Sequence, residues 1–446
     1  MVWLLILAFL QPDRDTLFLT LEESIEIALK TNLEISQSAE LVESANYGVA
    51  AVRKGLGLKT DLNLDQSRTE SYNSHGAKLS IYNDLPWGGR VGLITQIERD
   101  RSLYFDQCFN VFTTGLAVTQ DLITENVKRL DEQQASAGLA MSNLNYELTR
   151  REIIYDVSVI FFDWLEASRI LKIRESALMH AEALLATLRE KLLRGLRVGG
   201  NIFEAETYLN QCKINLILAR SRLLFKKQEL LKFADINTSK EIMPFDILAM
   251  DSIDVSKMES AIPDHPRLRM YDESIRLNEL AMRKLRRERS VRISVKLSAD
   301  LTSSFTDLEE MNDNFMKDYS MGISASIPIF DRGVARDRER QLKHQAQSIA
   351  YSKDNLKNEL EIEVDQAIDN LHLLSEAVAL CMNTLKIAQS NVEVELDRFG
   401  KGLSQINDII RAQDCYISTE LDYIETIIAY KKVKVKIHLL TSSTGL

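Results

Sequence analysis

The sequence predicts an α+β fold in two similar halves, with very long helices interrupted by a few amphipathic strands. Three observations predict it: a duplicated turn, long runs without Gly or Pro, and short stretches of polar and apolar alternation. The duplicated turn is the first. Arg194-Gly195-Leu196, followed by Asn201-Ile202-Phe203-Glu204-Ala205, matches Lys401-Gly402-Leu403, followed by Asp408-Ile409-Ile410-Arg411-Ala412, with the two glycines 207 positions apart. A repeat of this size implies two equivalent units, each a pair of helices joined by one sharp turn. Gly supplies the backbone freedom for the turn, and Asn or Asp suits the start of the returning helix.

The long runs predict the helices. Asp337 to Phe399 contains no Gly and no Pro, Leu403 to Thr444 is free of both, and Glu125 to Arg194 contains only Gly138. The first of these, if all helix, reaches roughly 95 Å. Apolar residues recur at three- and four-residue steps through Ile362, Ala367, Ile368 and Leu371, then Ala377, Leu380, Leu385 and Ala388. That stripe is the narrow contact face of helices packed side by side, and the runs are too charged to read as membrane spans. On periodicity alone any long antiparallel coiled coil fits.

The strands separate the readings. Ile293, Val295, Leu297, Ala299 and Leu301 alternate with Ser294, Lys296, Ser298 and Asp300, and Met321 to Ile329 alternates in the same way. A polar loop from Thr302 to Asp318 divides them. In the first half, Leu62 and Leu64 lie between Asp61, Asn63 and Asp65, and Gly115 to Gln120 forms a second run. So few two-faced strands cannot cover themselves as a sandwich. Closure with copies from other chains, apolar face to lipid and polar face to a lumen, resolves both the face and the free edges.

With these motifs in place the chain resembles the TolC-like outer-membrane efflux proteins over nearly its whole length. The carriers are Leu19-Thr20-Leu21-Glu22-Glu23-Ser24-Ile25 onward to Ile35, the looser Pro263-Asp264-His265-Pro266-Arg267-Leu268, the segment Ile327-Pro328-Ile329-Phe330-Asp331-Arg332-Gly333, and the turn around Phe399 to Gln413. The resemblance implies a trimeric outer-membrane β-barrel continued by a long periplasmic α-helical barrel. It implies residues 1–12 as signal peptide, 19–235 as the first repeat (strands 58–121, helical hairpin 125–235), 236–266 as connector, and 267–446 as the second repeat (strands 291–330, hairpin 335–444). The apolar Val2 to Leu10 fits a secretory segment, though no Lys or Arg precedes it. No early Cys suggests a lipid anchor, and Cys108, Cys212, Cys381 and Cys415 have no metal spacing. The first half carries an extra strand pair, Lys78 to Leu85 and Arg90 to Ile97, joined by Pro86-Trp87-Gly88-Gly89. About two strands per half give a barrel of twelve from three chains; if the extra pair joins the wall, the barrel has eighteen. Trp87, Tyr104, Phe105, Phe315 and Tyr319 stand at strand ends, as an interfacial girdle or as ordinary packing residues.

The function implied is passive: an exit duct of a tripartite efflux or type I secretion system. Its partners would be two further copies of itself, a periplasmic adaptor (membrane fusion protein), an inner-membrane pump or ABC transporter, and outer-membrane lipid. The rival is a periplasmic or surface coiled-coil scaffold or adhesin, which has no need of a lipid-facing strand surface. Within the resemblance, the periplasmic entrance gate maps to Asp408, with Arg411 where a second acid often stands. A basic residue at Ser404 and an acid at Asn201 would tie the closed state; here both positions are neutral. Asp408 also reads as an ordinary residue of a helix first turn. Adaptor docking maps to the tips Arg194, Gly195 and Leu196, and Lys401, Gly402 and Leu403, which read equally as plain hairpin turns.

Other classes find no support. No phosphate-binding loop, paired-His metalloprotease motif or nucleophile elbow occurs, so no enzyme, cofactor or metal is expected. The formal net charge of −10 argues against nucleic acid. Arg283 to Arg289 is basic, but it precedes a strand and reads as a solvated helix end near lipid headgroups.

Overall fold

The computed structural model describes residues 16–55, 57–68, 72–85, 87–102, 108–122, 127–194, 199–235, 241–246, 262–306 and 315–441. The expected signal segment, Tyr104, Phe105 and most of the connector lie outside these residues. The elements run β1 (Thr16–Leu19), α1 (Leu21–Thr31), α2 (Leu33–Lys54), β2 (Leu58–Arg68), β3 (Tyr72–Asp84), β4 (Gly89–Ser102), β5 (Cys108–Asp121), α3 (Val127–Leu193), α4 (Gly199–Phe233), β6 (Glu241–Pro244), α5 (Pro266–Glu288), β7 (Arg292–Phe305), β8 (Met316–Ser326), α6 (Val334–Gly400) and α7 (Ile406–Thr441). The chain forms two compact units, and each takes segments from both halves of the sequence.

The first unit is helical. Phe161, Trp164 and Leu165 of α3, Leu230 of α4, and Ile427 and Ile428 of α7 form its core, all almost wholly buried. Phe161 and Trp164 meet edge to face, with ring centroids 6.1 Å apart. An ionic layer lies beside this core. Asp163 is held between Lys226, at 2.8 Å, and Lys432, and Arg222 reaches Glu166 at 2.6 Å. Burial pushes the Asp163 carboxyl up, but the two ammonium groups outweigh it and hold it low. β1 and β6 pair in parallel at the margin of this unit, and Lys431 bridges to Asp246 at 2.7 Å.

Both halves open with a capped helix. Thr20 and Glu23 form a reciprocal capping box at the start of α1. In the second half the imidazole Nδ1 of His265 accepts from the Arg267 N–H at 3.3 Å, with Pro266 as the first residue of α5. The continuous opening motif from Leu19 to Ile35 is in fact broken. Asn32 is extended (φ −65°, ψ 131°), ends α1 and accepts the Glu34 N–H at 2.8 Å to start α2. Asn32 and Thr31 also donate to the carbonyls of Phe233 and Ala234, tying the first half's start to its last helix.

The second unit holds one antiparallel sheet, in the order β2-β3-β4-β5-β7-β8. Its strands are longer than the alternation alone marked. β7 continues to Phe305 and β8 begins at Met316, so the expected loop from Thr302 to Asp318 is shorter. β8 ends at Ser326, not Ile329, because Pro328 offers no N–H to a ladder. The extra pair lies inside the same sheet, joined at Leu85–Gly88, where the Leu85 N–H donates to Gly89 O at 2.7 Å and Gly88 takes φ +89°. At the base of the sheet the buried Asp84 carboxylate binds Lys59, Arg90 and Lys128.

In α6 the buried stripe runs through Leu360, Val364, Ala367, Ile368, Leu371, Val378 and Ala388, whereas Ile362 and Leu380 are exposed. α6 also contains one window that is long and apolar enough to cross a bilayer by length and composition alone, a test that the packed helix of a helical barrel also passes. The basic run of α5 is partly neutralised within its own unit: Lys284 meets Asp131 at 2.6 Å and Arg286 meets Glu339 at 2.7 Å.

Candidate functional site

The second tip is set by its backbone. α6 ends in a two-bond cap: the Leu403 N–H donates to Arg398 O at 2.8 Å, and the Gly402 N–H donates to Phe399 O at 3.1 Å. This 6→1 and 5→2 pattern requires a left-handed residue, and Gly402 supplies it at φ +75°. A Cβ at Gly402 would meet no atom within 4 Å, so the requirement is conformational, not steric. Lys401 pairs with Asp397 of its own helix at 2.5 Å, both well exposed, and Leu403 stands 68% exposed at the apex.

Asp408 lies three residues into the next turn. Its carboxylate accepts the Gln405 N–H at 3.0 Å and lies 3.2 Å from Ser404 Oγ. The Gln405 N–H is the main reason its carboxyl sits below the ordinary range, and Arg411 and Arg398 add to it. This is the cap geometry. Ser404 also approaches Glu395 Oε2, at 2.6 Å, and Glu395 pairs with Arg398 at 2.7 Å. Glu395, Arg398, Asp408 and Arg411 thus line one shallow depression of about 340 Å³ with alternating charge.

The two hairpin ends pack together beneath this surface. Ile406 and Ile409 join Phe399 against Leu184, Leu185 and Leu188 of α3 and Ala205 of α4. The Lys191 ammonium sits 3.9 Å from the Phe399 ring centroid. Arg189 of α3 reaches Glu206 of α4 at 3.0 Å, and Arg194 pairs with Glu190. Gly195 and Leu196 lie outside the described residues. Asn201 falls within α4, but its side chain also lies outside them.

The structure therefore brings Ser404, Asp408 and Arg411 together and places Lys401, Gly402 and Leu403 at one apex. Sequence reasoning passed over Glu395 and Lys191. Glu395 stands three residues before Arg398, an ion-pair spacing, but its meeting with Ser404 depends on the turn between the helices.

The family model described as outer membrane efflux protein matches residues 24–234 and 294–431. The CusC channel superposes with a TM-score of 0.74 at 12% identity, covering 97% of this chain and 95% of its own. The CmeC outer membrane channel of Campylobacter jejuni gives 0.73 at 14% identity, covering 94% and 85%. VceC of Vibrio cholerae, an outer membrane protein, gives 0.71 at 11% identity, covering 94% and 96%. No curated protein matches. The fold class is accordingly the one expected, an outer-membrane β-barrel with a periplasmic helical barrel built from two repeats. Because the model match takes in well over half of the sequence, the chain belongs to the outer membrane efflux protein family.

Proposed function

We propose that the chain is one third of a passive exit duct. Three copies would close the sheets into a barrel in the outer membrane and the hairpins into a periplasmic tube, each repeat, 19–235 and 267–446, supplying one hairpin. One observation carries this reading. Among the described residues the sheet has free edges at β2 and β8, and one face bears Leu62, Leu64, Leu93, Leu116 and Met321 exposed in the single chain. Six strands are too few to close alone, and such a face is stable against lipid but not against water. α6 adds support: Leu373, Leu380, Ile387 and Val394 are exposed at steps of seven residues, the repeat of a helix awaiting a neighbouring helix.

The duct does no chemistry of its own, so an inner-membrane pump or ABC transporter would supply the energy and a periplasmic adaptor the connection. The docking tips would be Arg194, Gly195 and Leu196, and Lys401, Gly402 and Leu403. The exposed Leu403 offers an apolar knob beside a backbone free of side chain. Asp408, with Arg411, Ser404 and Asn201, would line the periplasmic entrance. The scaffold or adhesin reading is set aside by the family.

The test is cross-linking in native outer membranes with a transport assay. The expected result is a trimer that lowers accumulation of an efflux dye when its pump and adaptor are present. Gly195→Trp combined with Gly402→Trp should leave the trimer inserted and abolish both efflux and adaptor cross-linking. A membrane-inserted monomer, or export by the double variant, would overturn the corresponding part of the reading.

A further inference from the structure

The β3–β4 hairpin is the part of the sheet that two strands per half do not require. It is not an appendage. Its ladders with β2 and β5 run nearly the full length of both strands, over Asn73–Asn83 of β3 and Gly89–Arg101 of β4. Chained across the sheet, the pairings set Thr60, Ile81, Leu93, Leu116, Ala299 and Tyr319 in one level on one face. Three residues further along the strands, on the opposite face, one level carries Lys78, Gln96 and Thr113. The apolar face is thus continuous through the hairpin, as a wall strand requires and an external flap does not.

The hairpin's base is fixed as well. Asp84, at the end of β3, is 3% exposed and meets Lys59 of β2 at 3.3 Å and Lys128 of α3 at 2.5 Å. Arg90 of β4 completes the cluster at 2.7 Å. A carboxylate held by cations on both sides of the insertion locks the hairpin to the strand and helix that flank it.

We infer that the hairpin belongs to the barrel wall and sets the bore of the exit. The inference rests on the trimer proposed above: three copies of a six-stranded sheet make a wall of eighteen strands. Barrel diameter grows roughly linearly with strand number, so this exit is about 1.5-fold wider than one of twelve strands. It would admit bulkier solutes at the outer membrane than a twelve-stranded exit of the same tube.

The register also makes the hairpin separable. Following the ladders from β2 to β5 places Leu62 level with Thr114 and Arg68 level with Cys108. Joining Arg68 to Cys108 by a two-residue turn therefore keeps every side chain on its face, and β2 and β5 remain antiparallel.

Electron cryo-microscopy of the full chain in lipid nanodiscs tests the wall directly. A three-fold particle with eighteen strands, β3 and β4 lying between β2 and β5, is expected. A three-fold particle with twelve wall strands would overturn the inference while leaving the trimer intact; a particle without three-fold symmetry would overturn the trimer itself. A variant with residues 69–107 replaced by Asn-Gly gives the functional readout. In bilayers, the radius of the largest polyethylene glycol entering from the outer side should fall about 1.5-fold. An inserted trimer with an unchanged cut-off would show that the hairpin does not set the bore.

Discussion

The helical unit and the sheet place apolar residues in opposite ways. In the helical unit Trp164, Phe161 and Ile428 are almost completely enclosed by other parts of the same chain. In the sheet Leu62, Leu93, Leu116 and Met321 remain exposed on one face. The first arrangement is a core that water excludes; the second is a surface awaiting a different solvent. Stability in the helical unit is therefore a matter of packing, and stability in the sheet a matter of where the sheet is put.

The largest effect expected from this contrast is at Trp164. Trp164→Ala leaves a cavity among Phe161, Leu165 and their neighbours and should cost about 3–5 kcal/mol. Denaturant unfolding followed through the helical signal measures it; a loss below about 1 kcal/mol would mean that this unit is not a packed core. Leu93→Arg comes next. At mid-strand on the apolar face it should disfavour folding into vesicles by about 2–4 kcal/mol, whereas Gln96→Arg, on the other face, should be near neutral. Equal costs at the two positions would erase the distinction between the faces.

His265 sharpens the comparison from the helical side. Burial lowers its pKa to about 4, with the nearby Arg151 and Arg267 charges adding to the shift. Only the neutral ring can accept the Arg267 N–H, so protonation removes the cap. The unfolded chain takes up the proton near pH 6.5 and the folded chain near 4. Stability is thus full above about pH 6.5 and declines as the pH falls toward 4. His265→Ala should cost about 0.5–2 kcal/mol at neutral pH, the usual worth of a helix cap, and flatten the slope between those limits. An unchanged pH profile of thermal unfolding would remove this role. Gly402→Ala should have the smallest effect, about 1 kcal/mol, because the added methyl meets nothing and only the left-handed backbone resists it. A substantially larger loss in melting temperature would mean that the turn is held by more than its two hydrogen bonds.

Much of the candidate tip was legible in the chain. The spacing from Gly402 to Asp408 marked a turn and a helix start, and the structure shows that turn capped and that carboxylate on the Gln405 N–H. The contact between Ser404 and Glu395 was not legible, because the two residues stand on either side of a turn whose geometry determines their meeting. The stripe of α6 shows a related gap. Three- and four-residue steps identify a helix with apolar faces, but Ile362 and Leu380 turned out to be exposed while Leu360 and Val378 are buried. A helix with apolar residues on two sides has two faces to pack, and the choice belongs to the neighbours.

The sequence by itself determined the local periods: the repeat of the tips, the lengths of the helices and the two-faced character of the strands. These follow from backbone chemistry and residue spacing over a few positions. Only the tertiary structure decided which strands share a sheet and in what register. The ladder from Asn110 to Phe305 joins residues far apart in the chain, and nothing local fixes such a pairing. The same holds for the extra hairpin. Its alternation was plain, but its place between β2 and β5 depends on three ladders and on the Asp84 cluster, each of which spans separate elements. Local spacing fixes what an element is, and the burial of its faces and the pairing of its edges fix where it goes.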